Sequence, residues 1–299
     1  MPELPDIIVY IEVLAARTVG QVLEEMRLQD MFVLRTFAPP IETLEGQRVT
    51  AVRRLGKRIA FGFADGKWLV LHLMVAGRLQ WTDGGVKPKA KNVLAHFVFT
   101  SGTLSLTEAG TKRRAALHVV ADEVGLAAHD RRGLDVFTAT TAEFGAALRR
   151  ENHTLKRALT DPWLFDGIGN AYSDEILHAA RLSPVAFTQK LSDEEIARLH
   201  EAAESTLMTW TDRLRVEAKG AFPAKVTAFH PAMAVHGKFD QPCPVCGTKV
   251  QRIRYAENEV NYCPRCQTGG KLLADRSLSR LLKSDWPKTI DELEERSAR

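Results

Sequence analysis

The chain has 299 residues, 45% of them hydrophobic, and a formal net charge of +4 from 41 Lys and Arg against 37 Asp and Glu. That length points to two domains with a sizeable core, and the mild positive balance is compatible with a nucleic-acid partner without demanding one. No run of about 20 apolar residues occurs, which excludes a membrane-spanning helix. The acidic, proline-bearing start is not a signal peptide, so the cytoplasm is the expected location.

The chain opens Met1-Pro2-Glu3-Leu4-Pro5-Asp6. Trimming of Met1 before the small Pro2 would leave a secondary amine at the terminus. An α-amino group has a pKa of about 7.7–8.0, against about 10.4 for lysine, so part of it is unprotonated near neutrality. A secondary amine attacks an electrophilic carbon and forms an iminium ion directly. Glu3 beside it can move protons in the same event. Residues 6–18 read as a helix, with Ile7, Ile8, Ile11, Leu14 and Ala15 on one apolar face and Pro5 in a tolerant first turn. Pro2 and Glu3 then lie just ahead of a helix N-terminus, whose partial positive charge favours a carboxylate and a neutral amine.

Residues 22–120 read as strands of an antiparallel sandwich or barrel. Val49 to Phe63 and Trp68 to Trp81 flank the turn signal Asp65-Gly66; Val93 to Thr100 and Thr103 to Thr107 flank Ser101-Gly102. A basic loop, Lys87 to Lys91, is either solvated or able to meet phosphate. Residues 121–138 read as an irregular linker, and helices follow. Leu155 to Asp161 and Gly167 to Glu175 form two helices joined by a glycine-bearing turn, a shape that can grip a nucleic-acid backbone. Ser192-Asp-Glu-Glu195 is a capping box that opens a long helix to about Val216.

All four cysteines fall in the pattern Cys243-x2-Cys246-x16-Cys263-x2-Cys266. Two such knuckles supply four thiolates to one tetrahedral Zn²⁺, a structural site because no position is left open for water. The alternative, two disulfides, is disfavoured in a cytoplasmic chain. Lys249 to Tyr262 should form a hairpin between the knuckles. Leu278, Leu281 and Leu282 suggest a short helix beyond them, and Thr289-x-x-Glu292 caps a last acidic one.

The order of these parts, from Pro2 to about residue 267, resembles the formamidopyrimidine-DNA glycosylase / endonuclease VIII family, and Pro2-Glu3-Leu4-Pro5 is similar to its formamidopyrimidine branch. The resemblance implies an α+β fold: an N-terminal antiparallel β-sandwich flanked by helices (2–120), a linker (121–138), a helix–two-turn–helix domain (139–238), a zinc finger (239–267) and an extension (268–299). It implies a bifunctional glycosylase and abasic-site lyase of base-excision repair, acting on oxidised bases with one structural zinc, as a monomer on damaged DNA. The alternative is a relative that only binds damaged DNA or only incises abasic sites. By resemblance Pro2 would attack C1′ of the damaged nucleotide, Glu3 would move the sugar's protons, and Lys57 would lie near the lesion phosphate. Lys156 and Asn170 would hold flanking phosphates, and Arg113 and Arg114 persist where the family has arginines.

Three places depart from the family pattern. No arginine stands near the finger tip around Glu257, Asn258 and Glu259, where Arg252 and Arg254 on the other arm are the candidate substitutes. In His72-Leu73-Met74-Val75-Ala76-Gly77, the family's gap-filling methionine is Val75, and Met74 is one place off. The family's wedging phenylalanine falls at Ala115. Fewer wedges compensate less for unstacking, which implies a preference for sites already unstacked. Residues 217–238, which would hold the family's lesion-capping loop, are hard to align, and the extension is expected to pack on the helical domain.

Overall fold

The computed structural model describes residues 1–84, 92–110, 112–223, 226, 228–255, 258–275, 279, 281 and 285–297. The basic loop at 87–91, Leu278 and Leu282 lie outside them. Two compact units emerge, Met1–Arg131 with Thr209–Thr227, and Arg132–Met208 with Ala228–Arg299. Among the described residues, no helix is long and apolar enough to cross a membrane.

The first unit is a sandwich of two four-stranded antiparallel sheets. One has the order β1 (Leu23–Leu28), β6 (Val93–Phe99), β7 (Gly102–Glu108), β5 (Gly77–Thr82). The other has β2 (Val49–Leu55), β3 (Arg58–Phe63), β4 (Trp68–His72), β8 (Ala116–Val120). Alternation does the sorting: Ile59, Phe61, Leu69 and Leu71 face Leu79, Phe97, Phe99, Leu104 and Leu106 across the core. Helix α1 (Leu4–Thr18) adds Ile7, Tyr10 and Leu14 to that core.

The Asp65-Gly66 and Ser101-Gly102 hairpins form as expected. The run Trp68 to Trp81, however, is two strands in different sheets. The chain crosses at Leu73–Ala76, where Met74 takes φ +52° and a side chain on Gly77 would lie 2.2 Å from the Leu73 carbonyl oxygen. The stretch expected to be irregular contains α2 (Glu123–Ala127), capped by Asp122, which accepts the Gly125 N–H at 2.8 Å. The physical reason lies in the second sheet's outer face: Ala60, Trp68 and Val70 are apolar there too, and Leu126 covers them.

The second unit holds α3 (Thr141–Arg149), α4 (Leu155–Thr160), α5 (Asn170–Ala179) and most of α6 (Asp193–Ala218). The Ser192–Glu195 capping box is present, with Ser192 N–H donating to the Glu195 carboxylate at 3.0 Å and Glu195 N–H to Ser192 Oγ at 3.2 Å. The finger hairpin pairs β9 (Gln251–Tyr255) with β10 (Asn258–Tyr262), followed by α7 (Pro264–Thr268). The tail ends in α8 (Ile290–Ser297), where Glu292 N–H donates to Thr289 Oγ1 at 3.3 Å. The extension packs on the finger hairpin rather than on the helices alone: Leu273 N–H donates to Tyr262 Oη and Arg254 N–H to Asp275, both at 2.8 Å. Leu273 and Val185 pack against the buried cluster of Ile253, Val260 and Tyr262.

Candidate active site, nucleic-acid interface and metal centre

Glu3 is the N-cap of α1 and donates its backbone N–H to the Asp6 carboxylate at 2.9 Å. Pro2, Glu3 and Asp6 are buried. Burial lowers the pKa of the chain's amino terminus; Glu3 and Asp6 oppose the shift, while Arg78 and Lys57 add to it. The charges of these four side chains therefore act on the amino terminus. Burial also pushes Asp6 up to about 7. Lys57 sits in the Gly56-Lys57 turn between β2 and β3, where Gly56 takes φ +60°, and not within a strand. Arg78, which sequence reasoning missed, donates Nε to the Val226 carbonyl at 2.5 Å and a terminal nitrogen to Val75 O at 3.2 Å. The one sequence signal for it was a cation between the inward residues Gly77 and Leu79 on an alternating strand. In the structure the Pro2 nitrogen is in the Met1–Pro2 amide.

Beside Lys57, the second sheet carries further cations. Arg58 pairs across β3 and β4 with His72, and Val70 pairs with His118 on β8. His118 and His129 rings lie 4.7 Å apart, and the Arg58 guanidinium donates to His129 O at 2.6 Å. Burial, aided by Arg58 and neighbouring cations, holds His72 and His118 down at about 4. The face is thus positively charged through its arginines and carries neutral imidazoles.

Arg113 and Arg114 are exposed on the loop before β8; Arg113 pairs with Asp30 at 2.8 Å. Glu108 fixes that loop by accepting the N–H groups of Arg114 and Ala115. Ala115 is 2% exposed, so it belongs to the core and not to a projecting wedge.

In the second unit the α4–α5 corner places Lys156 inside the fold and not at the surface expected of a phosphate ligand. Its ammonium donates to Asn170 O and to Asp174 Oδ1, each at 2.6 Å. The physical reason is Asp174, a fully buried carboxylate that requires a cation and also meets His236 Nδ1 at 2.8 Å. Asn170 is half-buried at the start of α5 and donates Nδ2 to Glu259 O at 3.0 Å. Glu175 accepts three successive N–H groups, from Ala234, Val235 and His236, at 2.7–2.9 Å. On the finger, Arg252 stacks over Phe239 at 4.0 Å and meets Glu259 at 3.3 Å, which leaves Arg254 as the more exposed of the two.

The four cysteine sulfurs lie within 4.8 Å of one another. Cys243 and Cys266 are 3.9 Å apart and Cys246 and Cys263 3.4 Å. A tetrahedron with Zn–S near 2.3 Å has edges of about 3.8 Å, so the donor set fits one structural zinc. His178 Nε2 lies 3.2 Å from Cys243 Sγ and supports that ligand from behind.

Comparison with known proteins matches these parts in order. Residues 1–132 match the formamidopyrimidine-DNA glycosylase N-terminal domain, 135–214 the formamidopyrimidine-DNA glycosylase H2TH domain, and 240–269 the zinc finger found in FPG and IleRS. A Mycobacterium tuberculosis formamidopyrimidine-DNA glycosylase-like protein is 43% identical over 152 residues, 50% of this chain and 94% of that protein. The formamidopyrimidine-DNA glycosylase of Listeria innocua is 27% identical over 289 residues, covering 89% of this chain and all (100%) of that one. The fold matches that of Lactococcus lactis Fpg in complex with abasic-site DNA, with TM-score 0.77 and 22% identity over 89% of this chain and 99% of that one. It also matches MutM in complex with DNA containing carbocyclic 8-oxo-G, with TM-score 0.78 and 22% identity over 89% and 100%. The three domain matches in sequence, joined to a buried Pro2-Glu3 start and a four-cysteine finger, show that the chain belongs to the formamidopyrimidine-DNA glycosylase family.

Proposed function

We propose that this chain is a DNA glycosylase and abasic-site lyase that removes oxidised bases through its N-terminal proline. The observation that carries this reading is the buried Pro2-Glu3 pair at the start of α1, where the charges of Glu3, Asp6, Lys57 and Arg78 all act on the amino terminus. Once Met1 is removed, the Pro2 nitrogen attacks C1′, the C1′–N bond breaks, and the base leaves with a proton. The C1′–O4′ bond then opens, O4′ taking a proton, and the resulting iminium acidifies the C2′ proton. Its loss expels the 3′ phosphate, and a second elimination at C4′ expels the 5′ phosphate. Glu3 moves the sugar's protons, and Lys57 meets the phosphate beside the lesion. A single chain carries all of these parts, so a monomer suffices.

Lys156 acts in this reading as a positioning residue, holding the start of α5 so that Asn170 faces the DNA backbone. Burial of Ala115 supports a preference for unstacked sites, because no wedge projects there. Comparing cleavage of one lesion in a bubble and in a perfect duplex tests that preference; equal rates would remove it.

Borohydride trapping tests the chemistry. Full-length protein with Met1 removal checked by mass, and its Pro2→Gly variant, are mixed with DNA carrying an abasic site or 8-oxoguanine. Adducts on both substrates, weaker in the variant, are expected. An adduct on the abasic site alone would reduce the activity to a lyase, and no adduct from correctly trimmed protein would overturn the reading.

A further inference from the structure

Between β1 and β2 runs Met31-Phe32-Val33-Leu34-Arg35-Thr36-Phe37. Val33 is buried, but Met31 is 68% and Phe32 83% exposed. Large apolar side chains held in water cost the burial energy they forgo, and this segment is held firmly. The Asp30 carboxylate accepts the Phe32 N–H at 3.0 Å, Arg35 N–H donates to Leu117 O at 2.8 Å, and Val119 N–H donates to Thr36 Oγ1 at 2.8 Å.

Two anchors place the exposed pair. Leu34 bridges Leu117 in parallel, and the short 3-10 turn Met31–Val33 stands between that bridge and Asp30. The Asp30–Arg113 ion pair at 2.8 Å ties the other end of that turn to the loop before β8. Met31 and Phe32 therefore adjoin the exposed Lys112, Arg113 and Arg114, with Arg35 exposed on their own segment. Glu108 lies buried beneath, occupied by backbone N–H groups. Asp30 is the remaining carboxylate between positions 30 and 37 and between 108 and 115.

An exposed apolar pair with exposed cations on its own segment and on the anchored loop suits a polyanion with aromatic faces; protein interfaces deplete charge from their centres. We propose that Phe32, with Met31 beside it, is a stacking platform for a DNA base freed from its helix, and that Arg35, Lys112, Arg113 and Arg114 hold the adjoining phosphates. The inference rests on the DNA-enzyme reading above. Aromatic side chains stack on bases with little sequence preference, and guanidinium groups track the backbone. Phe32 thereby offers an exposed aromatic face on a turn anchored at both ends to residues 113–117.

The test uses the full-length chain and a duplex carrying a tetrahydrofuran abasic analogue with 2-aminopurine opposite it. Wild type should bind it with steep salt dependence and quench the 2-aminopurine. Phe32→Ala should bind about five- to a hundredfold more weakly and lose the quenching, while Phe32→Tyr retains both. Phe37→Ala, at another exposed aromatic, should leave the quenching unchanged, and all variants should melt as wild type does. If Phe32→Ala binds and quenches like wild type, the platform is disproved and the patch is left to a protein partner. If wild type itself shows no salt-dependent DNA binding, the underlying reading fails and takes the platform with it.

Discussion

The Asp6 carboxylate holds the Glu3 backbone N–H at 2.9 Å, so the residue that caps α1 is itself fixed by a side chain one turn further on. Asp6 is 6% exposed, and burial raises it to about 7 against the amino terminus, Arg78 and the Glu3 hydrogen bond. A carboxyl group whose folded pKa is raised contributes stability fully present below its unfolded value, near 4. That stability is lost as pH rises through about 7. Asp6→Asn keeps an acceptor for Glu3 without the charge. The variant should match wild type near pH 4 and exceed its stability at pH 8, by a few kcal/mol at most, in urea titrations at both values. No gain at pH 8 would show that the ionised carboxylate is well solvated.

The imidazole face should couple DNA binding to protons. His72 and His118 are held at about 4 by burial and by nearby cations, Arg58 foremost among them for His72. A phosphate placed on this face would offset those cations and raise both pKa values. Binding would then take up protons, and affinity would rise as pH falls from 7 toward 5. Calorimetry at pH 6 in buffers of different ionisation enthalpy should show net uptake, reduced in His72→Asn.

Lys156 and Asp174 predict an asymmetry between breaking and replacing a buried pair. Lys156→Met removes the ammonium from the buried Asp174 carboxylate, which keeps its contact with His236 Nδ1, and should cost about 3–5 kcal/mol. Combining it with Asp174→Asn should recover much of that loss. Equal destabilisation in the single and double variants would place the cost in packing.

Met74 occupies the left-handed region with φ +52°, a conformation that costs a residue with a Cβ about 1–2 kcal/mol. Met74→Gly should therefore raise thermal stability modestly, by about 1 kcal/mol after the larger entropy loss of glycine is included. A lowered melting temperature would mean that the half-buried side chain contributes more than the backbone loses.

Much of this molecule could be read from residue order. The α1 face, the two hairpin turns, the Ser192 capping box and the four-cysteine spacing each rest on local rules that tertiary contacts leave in force. What escaped was decided at a distance. Periodicity cannot tell that Trp68 to Trp81 changes sheets, because the break depends on a close approach at Gly77. Helix α2 went unread because only the assembled sheet exposes the apolar face that it covers. Arg78 and the inward turn of Lys156 depend on partners that lie 148 residues away at Val226 and 18 away at Asp174. No pattern in the sequence pairs those positions.

Glu175 gives the most durable consequence. Its one carboxylate closes a circuit of about 60 residues by receiving the amide protons of Ala234, Val235 and His236 together. All three amides are held by one side chain, so their deuterium uptake should be concerted and slow, on the schedule of the whole unit's opening. A loop tied in this way keeps time with the core, although it carries no regular secondary structure of its own.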